Sequence, residues 1–222
     1  MKAVTHPVIE VLQAMSMRGQ PANTSPEYLK LQAENSAWSR GTAYGARAVG
    51  SSVDLLNVLF MLKPEHVAEE TRVLCVGCND GLEMEPFARL GYRVEGFDLD
   101  AEKVRVAQYC GLVARTGELM EPPAPPDFFD AVKCAHTLEH ATDPPAALQK
   151  LASLLKPGGL FYLVFPLEPF FPAHNAAHVG WINSPDFVTQ VLEGWQVKYA
   201  NTDTSKQPYE VTLVLERPQE GS

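Results

Sequence analysis

A chain of 222 residues, 45% of them hydrophobic and 20% charged, has the size and composition of one ordinary globular domain with a full core. Its formal net charge of −9 leaves no excess of Lys and Arg to neutralise phosphates, so nucleic acid is disfavoured as partner or substrate. No stretch reaches the roughly 20 apolar residues of a membrane span and Met1 to Gln20 lack a signal-peptide pattern, so a cytoplasmic protein with no membrane partner is expected.

Residues 1–26 mix Pro, Gly, Asn, Ser and Thr around a short apolar patch, Val8 to Leu12, and read as a loosely ordered arm. Two helical patterns follow, over 27–38 and, beyond the breakers Gly41 and Gly45, over 46–62. In the second, Val49, Val53, Leu56 and Phe60 recur at helical spacing and predict a face packed on a sheet. From Lys63-Pro64 onward strands and helices alternate, the mark of a doubly wound α/β sheet. The expected order is a buried strand over 73–76, a helix over 83–90 ended by Gly91, and a strand over 93–97. A helix over 101–109, capped by Asp100, and a strand over 112–115 come next. The Pro-rich run 121–126 must be a surface loop, because Pro neither donates to a ladder nor continues a helix. A strand over 129–134, a helix over 144–155 stopped by Lys156-Pro157-Gly158-Gly159, a strand over 160–165 and a helix over 184–192 complete the alternation. Strands over 196–200 and 210–216, joined by a polar turn, predict an antiparallel pair closing one edge. The four cysteines, Cys75, Cys78, Cys110 and Cys134, read as reduced thiols, and the Cys75-x-x-Cys78 spacing as buried or pocket-lining thiols, since the first lies inside a strand.

The stretch Val73-Leu74-Cys75-Val76-Gly77-Cys78-Asn79-Asp80-Gly81 puts a glycine-bearing turn between a buried strand and a helix. Glycine there lets the backbone approach a ligand closely, and helix N-terminal amides add donors. About 20 residues on, Asp98 ends the second strand, where a carboxylate accepts both hydroxyls of an adenosine ribose. A dinucleotide fingerprint needs Gly-x-Gly-x-x-Gly, whereas positions 77, 79 and 82 are Gly, Asn and Leu. The spacing therefore speaks against NAD and for a nucleoside cofactor without a pyrophosphate.

These segments resemble the class I S-adenosylmethionine-dependent methyltransferases of small-molecule type, over about residues 70–195. Leu74, Val76, Gly77, Cys78 and Gly81 match that family's first strand and turn, Asp98 its ribose-binding carboxylate, and Gly117-Glu118-Leu119 its adenine-contacting stretch. Phe129-Asp130, Leu138-Glu139-His140 and Leu154-Leu155-Lys156-Pro157-Gly158-Gly159 resemble its fourth strand, the following loop and the approach to strand five. Cys75 in place of the usual Asp and Asn79-Asp80 in place of Gly-Thr depart from the pattern. The resemblance implies a Rossmann-like, seven-stranded, mostly parallel sheet with an antiparallel edge strand. It also implies a division into an N-terminal arm and helical lid over 1–62 and a methyltransferase domain over 63–222. S-adenosylmethionine would be the cofactor and S-adenosylhomocysteine the product. Gly77, Cys78, Asn79, Gly81, Asp98, Leu99, Glu118, Leu119 and Ala135 would bind it, with Arg40 as a clamp on its carboxylate.

A sulfonium methyl is already activated, so such an enzyme chiefly aligns a nucleophile; a general base matters when the acceptor must lose a proton. His136 and His140, just beyond the fourth strand, and His178, beyond the fifth, are the candidates, with His174 beside them. His136-Thr137-Leu138-Glu139-His140 also reads His-x-x-Glu-His, a zinc-protease spacing when it lies on a long helix. Here it follows a strand and is cut short by Asp143-Pro144-Pro145, so no metal is assigned. A related methyltransferase group working on quinone precursors carries Glu-x-x-Glu-His here and uses a divalent ion; His136 stands in place of its first Glu, making His136, Glu139 and His140 the ligand candidates. Tyr28, Trp38, Tyr44 and Arg47, with the aromatic loop 166–172, offer walls for a small-molecule acceptor. An O- or N-methyltransferase is the leading expectation, a homodimer is compatible with it, and an NAD-dependent oxidoreductase or a non-catalytic module with a drifted cofactor site are the alternatives.

Overall fold

The computed structural model describes residues 42–167, 177–180, 182, 184, 186–205 and 209–219, and of 42–48 the backbone alone. The arm over 1–26, the helix over 27–38 and Arg40 lie outside them. In chain order the elements are α1 (Thr42–Leu62), β1 (Arg72–Val76), α2 (Glu85–Arg89), β2 (Arg93–Asp98), α3 (Ala101–Tyr109), β3 (Val113–Thr116) and β4 (Phe129–Ala135). After a single 3-10 turn, Leu138–His140, come α4 (Pro144–Ser153), β5 (Leu155–Leu167), α5 (Phe187–Val191), β6 (Gln196–Asp203) and β7 (Tyr209–Glu216).

The sheet runs β3-β2-β1-β4-β5-β7-β6, parallel from β3 to β5 and antiparallel where β7 joins β5 and β6 joins β7. This is the doubly wound, mostly parallel sheet with an antiparallel edge that the alternation predicts. Connections depart in opposite directions from the neighbours β1 and β4, so a crevice opens beyond their carboxyl ends, the ligand position of open α/β sheets. Alternate residues face opposite sides. Leu74, Val76, Val132, Phe161 and Leu163 pack under α4 residues Leu148 and Leu151. Val73, Cys75, Ala131, Leu160 and Tyr162 pack with Leu55 and Leu59 of α1 and Phe87 of α2.

Local chemistry explains the helix ends. Asp100 caps α3 by accepting from the amides of Glu102 and Lys103, and Asp143 caps α4 by accepting from Ala146. Three expectations are corrected. α1 starts at Thr42 and runs through Gly45, which therefore breaks nothing. Its buried stripe is Ser52, Leu55, Leu56 and Leu59, while Val53 is 43% and Phe60 57% exposed. Ser52 hid that stripe, being polar in sequence but buried because its hydroxyl donates to the Glu83 carbonyl at 2.7 Å. The third concerns Lys156-Pro157-Gly158-Gly159, which lies inside β5 instead of before it. Leu155 already pairs with Phe129, and a register shift before Ala131 absorbs Gly158 at φ +76°. Among the described residues no helix is long and apolar enough to cross a membrane.

Glu216, at the end of β7, ties the antiparallel edge to the rest of the fold: it accepts from Lys63 at 2.5 Å and from Lys198 of β6 at 2.6 Å. Burial alone would raise its pKa, but the hydrogen bonds from Lys198 and Lys63 hold it below the ordinary 4.5. A lowered carboxylate stabilises above its unfolded value and loses that stability as pH falls through the folded one. Glu216→Gln is expected to cost about 1 kcal/mol at neutral pH. Denaturant melts at pH 7 and pH 3 should show the wild-type advantage shrinking in acid; an equal gap at both would refute the assignment.

Candidate active site

β1, β2 and β4 end together at the carboxyl edge, and their last residues carry the site. The chain leaves β1 through Gly77 at φ +67°. A Cβ there would overlap Thr137, whose hydroxyl donates to the Val76 carbonyl at 3.3 Å and the Ala135 carbonyl at 3.1 Å, pinning the ends of β1 and β4 together. Only glycine suits both the conformation and the space. Asn79 at φ +52° and Gly81 at φ +89° complete the turn, Asn being among the residues that tolerate the left-handed region.

That turn aims an amide at Asp98. The Asn79 N–H donates to Asp98 Oδ2 at 2.8 Å, and the Asp100 N–H to Oδ1 at 2.9 Å. Each carboxylate oxygen keeps a further lone pair, so the side chain presents two fixed, adjacent acceptors, the complement of a vicinal diol. The Gly117 N–H donates to the Asp98 carbonyl at 3.0 Å and so brings Glu118 and Leu119 alongside, both half-buried. Leu99 and Ala135 are half-buried at the same edge.

Cys78 turns its side chain inward. Its thiol is buried against Gly96, where any Cβ would overlap it, so the side chain fills the sheet and only its backbone belongs to the turn. Burial pushes that thiol well up, and the nearby charges of Asp98, Glu83 and Asp80 push it further. Glu83 is neutralised by Lys133, so Asp98 and Asp80 are the acidic groups beside the turn, and their charge favours a positively charged sulfur. An adenosine bearing a sulfonium therefore fits this edge in both hydrogen bonding and charge. Cys75 and Cys134 are likewise buried with raised pKa, mainly by burial, so Cys75-x-x-Cys78 is a pair of buried thiols, as its place in and after the first strand predicts.

The histidines separate into two groups. His136 stands at φ +53°, its N–H donating to the Val164 carbonyl at 2.8 Å. Its Nε2 lies 3.0 Å from Glu210 Oε2 and its Nδ1 3.7 Å from Glu139 Oε1. Glu210, on β7 opposite Pro166, was invisible in sequence because only long-range strand pairing brings it here. His140 donates through Nδ1 to the Ala177 carbonyl at 2.9 Å and meets the His178 ring edge-on, with centroids 5.1 Å apart. Glu139, His140 and His178 bring ligand atoms within 4.8 Å of one another. The metal candidates read from spacing thus regroup, since residues 138–140 form a single 3-10 turn and not the long helix that would align His136 with them. Arg40, Tyr28, Trp38, His174 and the loop 168–172 lie outside the described residues, as do the side chains of Tyr44 and Arg47.

A methyltransferase-domain family model matches residues 47–207. A ubiquinone biosynthesis O-methyltransferase from Xanthomonas campestris pv. campestris is 44% identical over 99 residues, which cover 41% of this chain and 41% of that protein. The Xanthomonas oryzae pv. oryzae protein of the same name is 42% identical over 99 residues, again 41% of each. The matched part therefore spans about two-fifths of those relatives. Among solved structures, a SAM-dependent methyltransferase from Methanosarcina mazei superposes with TM-score 0.57 at 15% identity, over 72% of this chain and 98% of that one. The [4+2]-cyclase SpnF superposes with TM-score 0.61 at 14% identity, over 96% and 92%. These two likenesses concern the fold alone. With the family model spanning most of its length, the chain belongs to the class I S-adenosylmethionine-dependent methyltransferases.

Proposed function

We propose that the protein transfers a methyl group from S-adenosylmethionine to an oxygen of a small molecule, with His136 taking the acceptor's proton. The observation that carries the reading is Asp98, both oxygens fixed by backbone amides at the end of β2 and opposite the Gly77 turn. Bound S-adenosylmethionine supplies a methyl already activated on a sulfonium. The chain's own task is then to hold an acceptor in line and keep water out, and alignment of that kind is worth up to about 7–11 kcal/mol. Oxygen is favoured over nitrogen by the relatives' name, ubiquinone biosynthesis O-methyltransferase. A hydroxyl acceptor has a proton to lose, which gives a base a purpose.

His136 suits that purpose better than His140. Its ring lies between two carboxylates, Glu210 at Nε2 and Glu139 at Nδ1, which orient it and stabilise the imidazolium that forms when it takes a proton. His140 instead spends its Nδ1 proton on the Ala177 backbone carbonyl, at a half-buried position. Residues 1–62 would act as arm and lid, with the Arg40 guanidinium on the cofactor's carboxylate.

Calorimetric titration with S-adenosylmethionine, S-adenosylhomocysteine and NAD tests the cofactor side. Saturable binding of the first two and none of NAD is expected, with weaker binding by Arg40→Ala; binding of NAD alone would sink the reading. On the acceptor side, His136→Ala should lower kcat on a hydroxylated aromatic acceptor by about 10²- to 10⁴-fold while leaving cofactor affinity intact. Glu210→Gln should act in the same direction and less strongly, because it disturbs the orientation of the base and leaves the base in place. Unchanged kcat in both variants would remove His136 from the chemistry.

A further inference from the structure

We infer that Lys133, Glu83 and Ser52 are positioning residues, which anchor the far end of the turn 77–83 and so set how tightly the chain holds its cofactor. The inference rests on the reading that this turn and Asp98 grip S-adenosylmethionine. None of the three acts by contact, since Ser52 and the Lys133 side chain are 0% exposed and the Glu83 side chain 3%.

The two ends of the turn are held by different means. At the near end the Thr137 hydroxyl pins Val76 to Ala135. Next the Cys78 N–H donates to the Phe97 carbonyl at 3.0 Å and the Asn79 N–H to Asp98. The chain then runs through Asn79 and Gly81, both at positive φ, and a left-handed Asn persists where its surroundings enforce it. Glu83 follows, held by two ties. Its carboxylate reaches Lys133 Nζ at 2.5 Å, and its carbonyl accepts from the Ser52 hydroxyl at 2.7 Å. Side chain and backbone of one residue thus clamp the end of the turn between β4 and α1.

Stability alone does not account for this arrangement. The positions around it, Val73, Cys75, Ala131 and Leu160, are apolar. An apolar pair at 83 and 133 would fill the same space without desolvating two charges, and such replacements are often neutral or stabilising. Glu83 Oε1 is moreover buried with no hydrogen-bond partner, so the pair is incompletely satisfied. What an ion pair adds over apolar contact is direction, because it fixes one oxygen on one nitrogen and holds residue 83 in a single place relative to β4. The source of the acid matters too. Cys75, opposite Lys133, stands where the methyltransferase pattern carries Asp, so the carboxylate facing this lysine comes from the turn and not from the strand. On β1 it would leave the turn to itself; on residue 83 it ties the turn to the sheet.

An anchored turn presents its backbone amides in advance, whereas a loosened one must be ordered on binding. A fall of the competent shape to about one-tenth of the population lowers affinity by the same factor of about 10.

The test pairs calorimetry, using S-adenosylmethionine and S-adenosylhomocysteine, with hydrogen exchange of a peptide spanning 77–83 read against one spanning β2. Lys133→Met with Glu83→Leu removes both charges. It should melt near wild type, weaken both ligands equally by about 10-fold, and speed exchange in the turn while β2 stays protected. Ser52→Ala cuts the second tie and leaves the charges in place, and should weaken both ligands by about 3- to 10-fold; unchanged affinity would strike Ser52 from the set. Wild-type affinity in the double variant, or exchange that rises equally in the turn and in β2, would overturn the assignment and make the pair a general stabiliser. A loss confined to S-adenosylmethionine, the ligand with the positive charge, would overturn it as well, because the acid would then act on the sulfonium and not on the turn. Exchange is read without ligand, so a variant that melts early still reports whether the turn loosens ahead of β2. Failure of the unmutated protein to bind either ligand would instead sink the cofactor reading, and this inference with it.

Discussion

Replacing Asp98 by Asn or Ala should weaken S-adenosylmethionine binding by about 100-fold or more, the largest loss expected from any single change at the site. On the proposed reading the carboxylate accepts from two ribose hydroxyls, and hydrogen bonds to charged groups are worth about 1.5–3 kcal/mol each. The variants also act differently on the protein itself. Ala leaves the amides of Asn79 and Asp100 without their present acceptor. Asn turns its own NH2 towards one of them, donor against donor. Both should therefore loosen the turn after β1, with Tm falling by a few degrees, while the sheet beneath stays intact. Calorimetry with S-adenosylhomocysteine alongside the methylated cofactor isolates the diol, which both share, from the sulfonium, which only one carries. Equal losses for the two ligands are expected. Undiminished affinity would show that Asp98 faces something other than a ribose.

The parts of the fold legible in sequence are those decided by local chemistry. The strand over 73–76, the cap at Asp100 and the Pro-Pro start of α4 each follow from residues within one turn or one strand, and all three lie where the pattern puts them. The turn at Gly77 and the carboxylate at Asp98 were readable too, because a left-handed residue and a strand-end acid leave a mark in sequence. What escaped depends on partners far along the chain. Ser52 looks polar until Glu83 supplies a carbonyl, and Lys156-Pro157-Gly158-Gly159 looks like a stop until Arg217 pairs with it: the Gly158 N–H donates to the Arg217 carbonyl and the Arg217 N–H to Gly159. Glu210 and His178 reach the candidate site only through strand pairing and a loop contact. The His-x-x-Glu-His spacing contains two of the clustered groups, Glu139 and His140, but the third, His178, comes from beyond β5.

Lys133→Met should destabilise the protein by about 3–5 kcal/mol, the largest stability effect expected of a single substitution in the described core. Lys133 sits in the middle of β4 opposite Cys75, with its side chain 0% exposed, and its Nζ lies 2.5 Å from Glu83 Oε2. Removing the cation leaves a carboxylate buried among thiols and apolar side chains, with Oε1 already lacking a partner. Replacing both residues, as Lys133→Met with Glu83→Leu, should recover most of the loss, because two desolvated charges are exchanged for apolar volume. The pH dependence gives a second check. Burial already pushes Glu83 up, with Lys133 opposing, so the single variant raises it further. A carboxylate raised in the fold costs nothing extra below its unfolded value and costs progressively more as pH rises towards the folded one. The deficit of Lys133→Met, read by urea melts against wild type, should therefore be smaller at pH 5 than at pH 8; a deficit independent of pH would mean that packing, and not charge, is what the lysine contributes. The double variant separates stability from function, since Glu83 stands two residues beyond Gly81 and holds Ser52 of α1 through its carbonyl. If the pair exists to fix the cofactor turn, the double variant will melt near wild type and still bind S-adenosylmethionine more weakly.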